Sequence, residues 1–356
     1  MSRSLRAVAL GGGHGLHAAL SALRVITDDL TAVVTVADDG GSSGRIRREL
    51  KVLPPGDLRM AVAALAGDAP EDQEWAELLQ HRLGGHGVLA GHPVGNIMLT
   101  ALLERDEPRA ALQRLRELTG GVGRVLPMSP LPLDLIAEAD RFDPENPART
   151  RAIRGQSSIA STPGRVLSVR LLPNGAPANP DAVDAVREAD LVVLGPGSWF
   201  TSVIPHLLLR ELGTALAATK APIVVILNLV PQAGETDDYE PHELLELLQT
   251  HASAYGGLPV HTVLADVDSV LNPTELDGYA RTIGARLVLS RLAADDSAER
   301  HDAKRLGSAI RRILDELPGV RAEHAAGLTA GGAQADARTG SSAPDVAVRG
   351  GTDTWP

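Results

Sequence analysis

The chain has no cysteine, which excludes disulfide bonds and every reaction that depends on a thiolate. Aromatic residues are also scarce, with three Trp, three Tyr and two Phe among 356 residues. Acidic residues outnumber basic ones, and the formal net charge is −11. Few stacking side chains and an acidic balance are atypical of nucleic-acid-binding proteins, so we expect no nucleic-acid partner.

Long apolar runs are missing as well. No uninterrupted apolar stretch approaches the ~20 residues that a membrane span needs. The short apolar run Ala7–Leu10 near the N-terminus is too brief for a secretory signal. We therefore expect a cytoplasmic protein that makes no membrane contact.

What the sequence does contain is a series of short apolar runs that end in glycine, aspartate or a polar turn. They are Arg6–Leu10, Leu30–Ala37, Leu191–Leu194 and Ile223–Leu229. Such runs, alternating with helical patterns, are typical of buried parallel strands. We predict an α/β fold with a Rossmann-like, doubly wound and mostly parallel sheet.

Apolar periodicity predicts helices over Asp57–Leu65, Gly95–Leu103, Glu107–Leu118, Asp181–Glu188, Ser202–Leu212, Pro241–Leu248 and Asp302–Leu317. Asp57 and Asp302 are the expected N-caps of their helices. Alternating residues from about 130 to 173 predict a small antiparallel β insertion within a domain of residues 1–320. Residues 321–356 are poor in large apolar side chains, which is typical of a disordered tail.

The first candidate site follows the first predicted strand and consists of Gly11, Gly12, Gly13, His14 and Gly15. A glycine-rich turn that opens a helix gathers unpaired N–H groups, which bind phosphate without a charged side chain. The alternative is a plain tight turn. The dinucleotide fingerprint G-x-G-x-x-G is not met because its last glycine would fall at Leu16, and no P-loop lysine follows.

The second candidate site follows the second predicted strand and consists of Asp38, Asp39, Gly40, Gly41, Ser42 and Ser43. Ligands bind at the carboxyl edge of such sheets, so these carboxylates are placed to meet one. They would accept hydrogen bonds from ribose hydroxyls or hold Mg²⁺, and the two interpretations are equally open. The alternative is an ordinary loop in which an aspartate caps the next helix.

Further candidates follow other strands or precede helices. The ligand-binding candidates among them are Asn96, Gly195, Gly197, Ser198, Asn228, Gln232 and Arg300. Asn96 has a helix cap as its alternative role, and Arg300 has that of a solvated surface residue beside the capping Asp302. No Cys/His metal spacing, nucleophile elbow or zinc-protease motif is present, so no residue stands out as catalytic.

Six motifs in order resemble the bacterial gluconeogenesis-factor family, also called YvcK-like, which is related to the CofD 2-phospho-L-lactate transferases. The motifs are VALGGGHGL (8–16), VADDGGSSGR (36–45), PPGDLR (54–59), GHPVGN (91–96), LGPGSWFTS (194–202) and RHD (300–302). The resemblance covers roughly residues 6–317. One departure is His92-Pro93, where the family pattern leads us to expect serine or a small apolar residue.

The resemblance implies a regulatory protein that binds a nucleotide such as a UDP-sugar. It also implies a need for the protein in growth on gluconeogenic carbon sources, in cell shape and in cell-wall synthesis. When the family's functional positions are carried over to this sequence, the phosphate loop corresponds to Gly11–Gly15 and the acidic site to Asp38 and Asp39. The sugar-nucleotide contact corresponds to Arg300. No cofactor is expected to be obligatory, while Mg²⁺, NAD and UDP-sugars are the candidate bound groups. Protein partners in carbon metabolism or wall synthesis and a homo-oligomer are expected.

Two other functions stay open from the residues. One is an enzyme that transfers a phospho-lactyl-type group from a nucleotide diphosphate donor, with Asp38 or Asp39 holding Mg²⁺. The other is an NAD-type dinucleotide binder without hydride chemistry, against which the missing third glycine counts. Because no catalytic base or nucleophile is evident, the regulatory binding protein is the leading hypothesis.

Overall fold

The computed structural model describes residues 4–142, 145–146, 148–232 and 234–317. The larger of two compact units comprises Ser4–Ile313 and holds every element discussed below, apart from the end of the last helix. The predicted tail, residues 321–356, lies outside the described residues. None of the helices in the described part of the chain combines the length and apolar character that crossing a bilayer requires.

The strands are β1 (Ala7–Gly11), β2 (Leu30–Val34), β3 (Arg124–Pro127), β4 (Asp134–Asp140), β5 (Arg151–Arg154), β6 (Arg165–Leu172), β7 (Leu191–Leu194), β8 (Ile223–Ile226), β9 (Val260–Asp266), β10 (Arg286–Ser290), β11 (Ala293–Ala294) and β12 (Ser297–His301). The α-helices are α1 (Gly13–Leu23), α2 (Gly41–Leu50), α3 (Pro55–Ala64), α4 (Pro70–Gln80), α5 (Val94–Leu103), α6 (Pro108–Leu118), α7 (Gln156–Ile159), α8 (Pro180–Glu188), α9 (Arg210–Ala218), α10 (Pro241–Ala252), α11 (Pro273–Thr282) and α12 (Ala303–Asp315).

Seven strands form one parallel sheet in the order β10-β9-β8-β7-β1-β2-β3. Strands β1, β2, β7 and β8 are buried along their whole length, as expected where helices flank a parallel sheet. The α/β, Rossmann-like prediction is therefore confirmed.

The order of the strands locates the crevice of the sheet. From β1 the chain proceeds outward to β2 and β3, then returns to β7 on the other side of β1 and proceeds outward to β10. This reversal separates the connections that leave β1 and β7, and ligands of open α/β sheets bind at such switch points. The glycine-rich segments after β1 and β7 therefore meet at one place.

The predicted β insertion is also present. Strands β5, β4 and β6 form a separate antiparallel sheet in that order, within the predicted range of about 130–173. Short helix α7 lies in the same segment, between β5 and β6. This small sheet reaches the large one through Asp39, as described below.

Two helix predictions are wrong in detail. The predicted helix Ser202–Leu212 is instead a π-helical turn, Trp199–Val203, a 3₁₀ turn, Ile204–His206, and then α9. Pro205 lacks the N–H that a continuous α-helix needs at that position. Asp57 is not an N-cap, because α3 begins at Pro55 and contains Asp57 in its first turn. Asp302, by contrast, accepts a hydrogen bond from the Arg305 amide at 2.8 Å, as an N-cap does.

Candidate functional site

The amino terminus of α1 lies at the switch point. Gly12 occupies the N-cap position and has no side chain with which to cap the helix, and Gly13 has a left-handed φ of 57°. The Gly13 amide is hydrogen-bonded to the carboxyl of Asp57. The amides of His14 and Gly15 lie in the first turn, where a helix offers no acceptor. Together with the positive end of the helix dipole, these amides form an anion-binding position.

The loop after β7 packs directly against this helix end. A Cβ atom on Gly15 would overlap the carbonyl group of Pro196, so only glycine permits the backbones to approach this closely. The Gly195 amide donates to the carbonyl of Leu10 at 3.2 Å, which ties the loop to β1. The loop therefore forms one wall of the crevice at the end of α1.

Asn228 holds this loop in place from the end of β8. Its Oδ1 accepts from the Gly197 amide at 2.8 Å, and its Nδ2 donates to the Gly197 carbonyl at 2.9 Å. Gln232 contributes a further contact, with its Oε1 3.4 Å from the Asn228 Nδ2. Asn228 and Gly197 were predicted as ligand contacts, but in the structure they bond to each other. They shape the crevice wall, and the amides placed to meet a ligand are those of His14 and Gly15 in α1.

Glu235 fixes the other side of the same loop. Its Oε1 accepts from the hydroxyl of Ser198 and, at 3.0 Å, from the amide of Phe200. Burial raises the pKa of Glu235, and the hydrogen bonds from Ser198 and from the backbone oppose that rise. Glu235 was not among the predicted site residues, because nothing in the sequence indicates that this acidic residue turns inward. Ser198, a predicted ligand contact, donates its hydroxyl hydrogen bond to Glu235.

A cavity of about 480 Å³ opens beside α1. The predicted residues that line it are His14, Gly15, Gly197, Asn228, Gln232 and Arg300. The cavity therefore brings together candidates from the loops after β1, β7 and β8 and from strand β12. Its size falls within the ~300–1,000 Å³ of typical ligand pockets.

Arg300 lies at the exposed rim of this cavity. Its side chain is 62% exposed, and its guanidinium contacts both carboxylate oxygens of Asp296 at 2.5 and 2.6 Å. An exposed ion pair of this kind contributes little free energy, about 0–1 kcal/mol. Arg300 can therefore exchange Asp296 for an anionic ligand at a small cost.

Asp57 and Asp38 form an acidic pair beside the amino terminus of α1. Asp57 is buried, and its Oδ2 accepts from the Thr35 hydroxyl at 3.3 Å. Burial and then the charge of Asp38 raise the pKa of Asp57 to about 7. Burial likewise raises the pKa of Asp38, against hydrogen bonds from Ser43 and the Gly40 amide. A cation would relieve the repulsion within this pair.

Asp39 is placed differently from Asp38. Its Oδ1 accepts from the Ser157 amide at 2.9 Å, at the start of α7 in the β insertion. A Cβ atom on Gly44 would overlap the Asp39 carbonyl, so the backbone here is tightly packed. Asp38 and Asp39 remain the predicted metal ligands, and the structure adds Asp57 to them. The charge of Asp39 raises the pKa of Asp38, and the charge of Asp38 raises the pKa of Asp57. The sequence could not show this because Asp57 lies in the first turn of α3 and resembles a helix cap.

The remaining polar candidates of this region hold helices together. Ser42 is hydrogen-bonded to His92 Nδ1 at 2.7 Å and accepts from Asn96 Nδ2 at 2.9 Å. Asn96 Oδ1 accepts from Arg59 Nε at 2.9 Å, and Asn96 does not cap α5, whose N-cap position is held by Pro93. Ser43 Oγ accepts from the Gly56 amide at 3.0 Å. Gly40 and Gly41 form the entry to α2.

The carboxylates of Asp38 and Asp57 could hold Mg²⁺ only together with oxygen ligands from water or a bound phosphate. In the described ranges there is no cluster of three or more His, Asp or Glu residues that would enclose a cation. Mg²⁺ is commonly held by one or two carboxylates, with water and ligand phosphates completing the shell. The pair therefore suits a cation that binds together with a phosphorylated ligand.

Comparison with known proteins agrees with this geometry. The family model "2-phospho-L-lactate transferase CofD" matches residues 7–308. A Mycobacterium tuberculosis protein named "Putative gluconeogenesis factor" is 54% identical over 276 residues, which cover 77% of this chain and 80% of that protein. The "Gluconeogenesis factor" of Listeria monocytogenes is 40% identical over 247 residues, which cover 69% of this chain and 73% of that protein.

Solved structures show the same fold. The crystal structure of a UPF0052 family member from Bacillus halodurans superposes with a TM-score of 0.76 at 29% identity. The match covers 87% of this chain and 99% of that one. Sequence and fold thus agree, and the chain belongs to the CofD family, alongside relatives named gluconeogenesis factors.

Proposed function

We propose that this protein is a cytoplasmic regulatory protein that binds a nucleotide-sugar, and that it acts as a gluconeogenesis factor. The observation that carries the proposal is the amino terminus of α1, where His14 and Gly15 line a cavity of about 480 Å³ with Arg300 at its rim. The relatives named gluconeogenesis factors support the physiological part. Roles in cell shape and wall synthesis belong to the same proposal.

The geometry suits a diphosphate joined to two larger groups. The first-turn amides of α1 supply hydrogen bonds and a positive dipole for the phosphates. Gly15 and the Pro196 loop confine that position, while Gln232 and Arg300 border the wider part of the cavity. In this arrangement the phosphates provide most of the binding energy, and the outer residues select the attached sugar or base. A UDP-sugar has the required shape and charge.

Calorimetric titration with UDP-N-acetylglucosamine, UDP, NAD and GDP, each with and without Mg²⁺, tests the proposal. We expect the UDP-sugar to bind more tightly than NAD and to be recovered unchanged after incubation. Binding of none of these ligands, or tightest binding of NAD, would contradict it.

Arg300→Ala is expected to weaken binding of UDP-N-acetylglucosamine about tenfold, because a charge-assisted hydrogen bond to the ligand is lost. The reverse effect is expected of Asp296→Asn, which removes the acid that pairs with Arg300. Both variants alter exposed side chains and keep the fold intact. Calorimetric titration of each variant with UDP-N-acetylglucosamine measures the two changes in affinity. If both variants bind as tightly as the unmodified protein, Arg300 is only a surface residue.

The second candidate function is transfer of a phospho-lactyl-type group, and the acidic pair favours it. Asp38 and Asp57 would hold Mg²⁺, which when bound would neutralise charge on the phosphoryl oxygens of the donor. The chain itself would contribute the α1 amides that orient the donor and the buried surroundings that exclude water. Asp38→Asn and Asp57→Asn would then abolish turnover of a nucleotide diphosphate donor. A purely regulatory protein would show no turnover before or after these substitutions.

A further inference from the structure

Strands β11 and β12 form a hairpin that delivers one further side chain to the cavity. Asp266, the last residue of β9, accepts from the Leu292 and Ala293 amides at 2.5 and 3.1 Å. Ala293 pairs with His301 at the other end of the hairpin. The carboxyl end of β9 therefore sets the position of His301, which lines the same cavity as His14 and Arg300.

The ring nitrogens of His301 have different surroundings. Nε2 is buried and has no hydrogen-bond partner among the described residues. The Leu227 backbone also lies close enough to the ring to raise the pKa of His301. A histidine nitrogen that bonds a carbonyl carries the proton. Nε2 has no such bond, and a neutral ring offers one of its two nitrogens as an acceptor.

Burial lowers the pKa of His301 to about 4, although the charge of Asp266 and the Leu227 backbone act in the opposite direction. The ring is therefore neutral at physiological pH, and it cannot serve as a cationic phosphate clamp. A buried polar atom without a hydrogen-bond partner destabilises the structure. A ligand that offers a donor here would recover that free energy, whereas one that lacks it would not.

We propose that His301 is a specificity-determining residue of the cavity, and that its Nε2 accepts a hydrogen bond from an O–H or N–H group of a nucleotide-sugar. The inference rests on the proposed function, and it goes beyond it by assigning a neutral acceptor beside the charged Arg300. The donor belongs either to the sugar, as a hydroxyl, or to the nucleoside, as a ribose hydroxyl or a base N–H.

His301→Phe removes the acceptor and keeps a planar ring, and we expect it to bind UDP-N-acetylglucosamine roughly tenfold more weakly. His301→Gln offers an amide oxygen and is expected to recover part of the loss. Titration with UDP alone separates the two donors. A loss for both ligands places the donor on the nucleoside, and a loss for the UDP-sugar alone places it on the sugar.

His261→Phe is the matched control, because His261 is a half-buried histidine at the amino end of β9, on the opposite edge of the sheet. Its affinity should equal that of the unmodified protein. Unchanged affinity in a folded His301→Phe variant overturns the inference, and so does a His301→Gln variant as weak as His301→Phe. If the unmodified protein binds neither UDP nor the UDP-sugar, the proposed function itself fails and the inference falls with it.

Discussion

Gly15→Ala is expected to abolish nucleotide-sugar binding and to destabilise the fold. The added Cβ would overlap the Pro196 carbonyl and the backbone of Gly197, neither of which can move like a flexible side chain. The amino end of α1 must then shift away from the loop, and the crevice that they form together is lost. Overpacking of this kind costs about 3 kcal/mol. We expect affinity for UDP-N-acetylglucosamine to fall at least roughly 100-fold, which corresponds to about 2.8 kcal/mol.

Gly84→Ala is the matched control for this substitution. Gly84 is exposed, no atom lies within 4 Å of the position that its Cβ would occupy, and its backbone is not left-handed. Denaturant unfolding and calorimetry on both variants give the comparison. Normal stability and affinity in Gly15→Ala would mean that α1 and the loop do not pack as described.

Asp57→Asn is expected to stabilise the ligand-free protein at pH 8 by an amount on the order of 2–4 kcal/mol. Burial and Asp38 raise the pKa of Asp57 from 3.8 to about 7, so the folded state binds a proton more tightly than the unfolded state. The stability that this carboxyl contributes is complete below pH 3.8 and is lost as the pH rises to about 7. Asparagine resembles the protonated acid at every pH and removes this loss.

Unfolding curves of Asp57→Asn and the unmodified protein should therefore converge toward pH 4 and diverge between about pH 4 and pH 7. Asp184, which is 64% exposed and paired with Arg187, supplies the control variant Asp184→Asn. This control should follow the pH dependence of the unmodified protein. A constant difference between Asp57→Asn and the unmodified protein from pH 4 to pH 8 would show that Asp57 does not titrate in this range. Because Asp57 is also a candidate cation ligand, the stabilised variant should bind Mg²⁺ less well.

The sequence predicted those parts of the fold that depend on local signals. Apolar runs located β1, β2, β7 and β8 to within a few residues, since a buried parallel strand is apolar throughout. The sequence did not predict the strand order, nor strands β3, β9 and β10, whose patterns are shorter or more polar. The predicted helix Ser202–Leu212 rested on apolar periodicity, which does not reflect that Pro205 lacks a backbone N–H.

The sequence pointed to the glycine-rich segments that line the cavity. It did not point to the pairs of side chains that come from distant parts of the chain. Asp57 approaches Asp38 because the start of α3 packs against the Asp38–Ser43 segment. Glu235 turns inward because Ser198 and the Phe200 amide donate to it. These contacts connect residues far apart in the chain, and no local pattern encodes them. For the same reason the sequence could not show that the side-chain amides of Asn228 and Asn96 form hydrogen bonds within the protein.

A crystal structure of the protein with UDP-N-acetylglucosamine tests the central claim most directly, because it locates the diphosphate. We expect phosphate oxygens at about 2.7–3.2 Å from the amide nitrogens of His14 and Gly15, with the sugar or base between Arg300 and His301. A diphosphate bound away from the amino terminus of α1 would contradict the account.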